Sequence, residues 1–69
     1  MFIIIMYYLS ILKFRYVIND VSDYAEISQL VKASSEENAR KAVREKANSD
    51  GVENHNIIQI RISETIVGD

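Results

Sequence analysis

The sequence predicts a small α+β domain: a three-stranded sheet with one helix packed on one face, in the order strand, strand, helix, strand, with a long N-terminal strand. Three observations carry this. Apolar residues recur with period two in "LKFRYVI" and again in "YAEISQLVKA", the spacing of half-buried strands. The period lengthens to that of a helix in "SSEENARKAVREKANSDG". It returns to two in "HNIIQIRISETIV".

In the first strand Leu12, Phe14, Tyr16 and Ile18 fall on one face, and Lys13, Arg15 and Val17 on the other. The run before it, "MFIIIMYYLSIL", is apolar except for Ser10 and carries no charge before Lys13. A spanning helix needs about 20 apolar residues, more than this run supplies. A secretion signal wants a basic start and small residues at its end, whereas "LKFRYV" follows here. Phe2, Ile3, Ile4, Ile5, Tyr7, Tyr8 and Ile11 are strand formers, so the run reads as the front half of one overlong strand from about Phe2 to Ile18. An unpaired front half is a template for another chain. Residues 1–8 are therefore expected to act as a strand extension or oligomerisation arm. Phe2, Ile3, Ile4, Ile5, Tyr7 and Tyr8 would pair antiparallel with a second copy in a symmetric dimer.

"NDVSD", residues 19–23, is rich in turn formers and predicts a five-residue connection closing a hairpin. In the second strand Ala25, Ile27, Val31 and Ala33 share a face, with Gln29 the polar exception. Tyr24, Glu26, Ser28, Leu30 and Lys32 take the other face. Ser34 with Glu37 has capping-box spacing, and Glu36 and Glu37 sit where the helix dipole favours carboxylates. Ala39, Ala42, Val43 and Ala47 form the apolar stripe, and Glu36/Arg40 and Glu37/Lys41 are i,i+4 pairs outside it. Gly51 suits a left-handed cap. In the third strand Ile58, Ile60, Ile62 and Ile66 face the core, and Ile57, Gln59, Arg61, Ser63 and Thr65 face away. A helical connection between the second and third strands permits a parallel crossover, which would be right-handed.

Sixty-nine residues make one domain, 1–69, near the lower limit for independent folding. Ten Asp/Glu outweigh eight Lys/Arg for a net charge of −2, which argues against non-specific nucleic-acid binding. Absence of cysteine excludes a disulfide framework and denies zinc its thiolate ligands. A reducing, cytoplasmic setting fits. No phosphate-binding glycine loop, zinc-protease helix or nucleophile elbow is present, so no enzyme, cofactor or metal site is expected. His55, the only histidine, reads with Asp50 and Glu53 as part of a solvated loop.

The sheet face turned from the helix has no intramolecular cover. There Lys13, Arg15, Tyr24, Lys32, Gln59 and Arg61 are the predicted partner-binding residues, because arginine and tyrosine are favoured in interfaces. The plain alternative is a solvated face whose Lys and Arg stems lie over apolar neighbours. A nucleic-acid version would place Lys13, Arg15 and Arg61 on phosphates and stack a base on Tyr24. A self-associating structural protein assembled through its N-terminal strand is the reading from a different class. A membrane partner is not expected.

The stretch "LKFRYVI…ISQLVKASSEENARKAVREKANSDGVENHNIIQIRIS" resembles a plan common among small phage-encoded proteins. That plan is a hairpin running into an "A-S/T-s-x-E-x-A" helix start, an alanine-rich helix, and an alternating final strand. The chain is similar in this respect to the small host RNA-polymerase inhibitors of T-odd short-tailed coliphages. The resemblance covers roughly residues 12 to 63. It implies a three-stranded sheet with one helix, and binding to a bacterial complex through charged residues. The target would be RNA polymerase or a defence effector such as a CRISPR nuclease. The family's final strand carries two alternating arginines; here Gln59 and Arg61 occupy those places, so one is matched.

Overall fold

The computed structural model describes residues 5–65. It holds β1 (Met6–Ile18), β2 (Val21–Ala33), the helix α1 (Glu36–Ser49), a short 3-10 turn (Asn54–Asn56) and β3 (Ile57–Thr65). This is the expected strand–strand–helix–strand order. The sheet order is β2-β1-β3, with β1 antiparallel to both neighbours. β2 and β3 thus run parallel to each other but never pair: the helical crossover steps over β1.

The connection between β1 and β2 is tighter than the composition of residues 19–23 suggests. Asn19 (φ 51°) and Asp20 (φ 63°) alone make the turn, and Ile18 pairs with Val21. Two consecutive left-handed residues define the two-residue turn whose twist matches that of the strands, and Asn and Asp are among the few residues that accept this backbone. Val21, Ser22 and Asp23 therefore belong to β2. The hairpin runs about 44 Å at the usual rise per residue, and the molecule measures 51 × 23 × 15 Å. α1 is only about 21 Å long, so it covers roughly half of the hairpin.

Ser35 caps α1, one residue later than expected: its hydroxyl accepts from the Asn38 backbone N–H at 3.1 Å. Ser34 is used as well, accepting from Asn38 Nδ2 at 2.8 Å. Ala39, Val43 and Ala47 are buried as the stripe predicts, but Ala42 is exposed. At the far end Val52 N–H bonds to Ala47 O (2.9 Å) and Gly51 N–H to Asn48 O (3.1 Å), with Gly51 at φ 97°. These two bonds form a Schellman cap. It turns Val52 back against the core cluster of Leu12, Val43, Ala47 and Ile60, on which Phe14, Val31, Ile57 and Ile62 also pack. Ser10 is fully buried between the flanking strands, and its hydroxyl donates to Gln29 O at 3.2 Å.

Two expectations need correction. A register shift where Lys13 pairs with Gln59 but Phe14 with Ile57 inserts one extra residue, Ile58, into β3. Such a bulge moves each residue before it to the opposite face. Ile57 consequently packs on the core, and Ile58 is exposed. The second correction concerns the N-terminal run. Tyr7 pairs with Lys32 and Thr65, and Tyr8 with Val31 and Glu64. They occupy the middle of the sheet, so neither offers an unpaired backbone edge to a second copy. Ile5 precedes the strand and is exposed; Phe2, Ile3 and Ile4 lie outside the described residues.

Candidate functional site

The register places odd-numbered β1 residues and even-numbered β2 residues on the face away from α1. Cross-strand neighbours there follow in rows. Lys32, Tyr7 and Thr65 lie at one end, followed by Leu30, Leu9 and Ser63. Next come Ser28, Ile11 and Arg61, and then Glu26, Lys13 and Gln59. Beyond the end of β3 the rows continue as Tyr24 beside Arg15, and Ser22 beside Val17.

All six predicted partner-binding residues therefore share one face, but they form two groups. Lys13, Arg15, Tyr24, Gln59 and Arg61 occupy adjoining rows. Lys32 lies six residues from Lys13 along β1, roughly 20 Å away. Leu9, Ile11 and Leu30 fill the space between. These apolar residues are the part of the site that sequence reasoning passed over, apart from Leu30. Leu9 and Ile11 lie in an N-terminal run that is apolar on both faces, so no alternation marks which way they point.

Several side chains are held in place by their neighbours. Lys13 Nζ lies 5.5 Å from the centre of the Tyr24 ring, and Lys32 Nζ 6.0 Å from that of Tyr7. At exposed positions such cation–π contacts contribute about 0.5–1 kcal/mol each. Arg15 Nε donates to Ser22 Oγ at 2.8 Å, which leaves its terminal nitrogens for another acceptor. The face carries four cations, Lys13, Arg15, Lys32 and Arg61, against one carboxylate, Glu26, among the described residues. Positive charge is thus concentrated on one side of a chain whose net charge is −2.

The opposite side differs. The exterior of α1 mixes signs, with Arg40 3.9 Å from Glu36 and Lys46 3.5 Å from Asp50. Arg40 also reaches across to β3, where Nη1 donates to the outward-facing carbonyl of Ile60. That bond blunts the β3 edge. His55 is exposed and 3.2 Å from Glu53. Among the described residues no group of three or more His, Cys, Asp or Glu is gathered as a metal site. No helix there is long and apolar enough to cross a membrane.

No family model matches the chain, and no curated protein and no solved structure matches it either.

Proposed function

We propose that the chain is a non-catalytic binding protein that attaches its uncovered sheet face to an acidic surface of a protein partner. The carrying observation is the composition of that face: four cations and one carboxylate around an apolar centre of Leu9, Ile11 and Leu30. Interfaces with a desolvated apolar middle and arginine and tyrosine anchors have this make-up. The resemblance of residues 12 to 63 to phage-encoded inhibitors favours an accessory factor. It would work in the host cytoplasm and modulate a host complex such as RNA polymerase or a defence effector.

The test uses immobilised full-length chain and lysate of the host. A single complex is expected to be retained at moderate salt and released at high salt, since the contact is partly electrostatic. Retention of nucleic acid alone, with affinity falling steeply as salt rises, would replace this reading. Retention of nothing would overturn it.

A further inference from the structure

We infer that β2 pairs antiparallel with β2 of a second copy about a two-fold axis at Ile27, forming a six-stranded sheet. The outer edge of β2 has no partner strand among the described residues, whereas Arg40 occupies an outward carbonyl of β3. The backbone groups available on β2 follow from the ladder. Gln29 O faces β1, where it accepts from Ser10, and the two-residue turn closes on the Ile18–Val21 pair. Antiparallel pairs alternate between bonded and non-bonded. Odd-numbered β2 residues therefore bond to β1, and Ser22, Tyr24, Glu26, Ser28, Leu30 and Lys32 point their N–H and C=O groups outward.

Ile27 is the middle residue of Val21–Ala33. Placing the axis there brings every outward-pointing residue opposite another: Tyr24 meets the partner's Leu30, Ser22 the partner's Lys32, and Glu26 the partner's Ser28. Ile27 meets the partner's Ile27 in a non-bonded pair, where side chains approach most closely. Tyr24, Ile27 and Leu30 are 55%, 46% and 57% exposed in the single chain. A single symmetry operation covers all three. Neighbouring registers do worse. An axis at Glu26 opposes two carboxylates directly, and one at Ser28 sets Leu30 against Glu26.

On the helix side Ile27 lies in an apolar groove with Leu12, Val43 and Val52, which the partner's Ile27 would extend into a shared core. An isologous pairing of this kind closes on itself and leaves no further β2 edge. On the other side the two basic faces would merge into one surface.

The chain contains no cysteine, so a single introduced thiol reports on the register. Residues in a non-bonded antiparallel pair lie about 4.5 Å apart at Cα, within reach of a disulfide. Full-length chain is expected to show twice the 7.9 kDa monomer mass by light scattering. Ile27→Cys is expected to cross-link at least tenfold faster under mild oxidation than Ile58→Cys, which is exposed on β3. Ser28→Pro removes an outward N–H that β1 does not use, and is expected to raise the dimer dissociation constant at least tenfold with helix and sheet signals retained. Monomer mass at concentrations up to about 0.1 mM would overturn the inference. So would cross-linking of Ile27→Cys no faster than that of Ile58→Cys.

Discussion

Leu12→Ala is expected to leave the chain largely unfolded at room temperature. Leu12 is 4% exposed and touches both layers: it packs with Val43 and Ala47 of α1 and with Ile60 of β3, from the central strand. Removing a buried leucine to alanine costs about 2–5 kcal/mol, through lost transfer energy and the cavity left behind. A single core in a domain of this size rarely supplies more than about 3–5 kcal/mol. The buried stripe of α1 is Ala39, Val43 and Ala47, all small, so it offers no long apolar side chain to fill the gap. Val17→Ala, on the exposed part of the hairpin, is the matched control and is expected to change stability by less than about 0.5 kcal/mol. Urea titration followed by circular dichroism, at one protein concentration for both variants, measures the difference. Equal losses for the two would contradict the packing described here.

The second large effect is on binding rather than folding. The triple variant Lys13→Glu, Arg15→Glu, Arg61→Glu turns the open face from predominantly cationic to anionic. It is expected to lose at least about tenfold in affinity for the captured complex, equivalent to about 1.4 kcal/mol or more. All three side chains lie away from the helix-covered core, so the variant is expected to stay folded. Loss of the Lys13–Tyr24 contact and a glutamate opposite Glu26 lower its stability by about 1 kcal/mol, which circular dichroism at the binding temperature checks. Lys41→Glu with Arg44→Glu alters the exterior of α1 and is expected to bind as the unaltered chain does. A titration by surface plasmon resonance separates these outcomes. Undiminished binding by the triple variant would move the interface off this face.

Most of the site was legible because alternation is local. Reading every second residue assigned Lys13, Arg15, Tyr24 and Lys32 to one face, and the register of β1 against β2 keeps that assignment. The same reasoning reached Gln59 and Arg61 but misplaced Ile57, because a bulge adds one residue without any composition signal of its own in "HNIIQIR". The helix start slipped by one for a different reason. Ser34 and Ser35 are equally able to cap, and both hydroxyls are used.

The least legible feature was the order of the strands. Which neighbours β1 takes is decided by contacts across the whole chain. The opening run was read as an overlong strand with a free end. The strand is long, and from Met6 onward its apolar character on both faces accompanies a central position, with β2 on one side and β3 on the other. Once β1 is central, the exposed edge passes to β2. There the sequence carries its own hint, since β2 holds three large residues that stay exposed in the single chain, Tyr24 and Leu30 on the open face and Ile27 on the helix side.

The central claim is that the open sheet face, and not the helix exterior, meets the partner. The four lysines of the chain divide evenly between these surfaces: Lys13 and Lys32 on the sheet, Lys41 and Lys46 on the helix. Lysine acetylation of the free chain and of the captured complex, read residue by residue by mass spectrometry, tests the claim directly. Lys13 and Lys32 are expected to become protected in the complex while Lys41 and Lys46 react as in the free chain. Protection of Lys41 and Lys46 with Lys13 and Lys32 still reactive would contradict it.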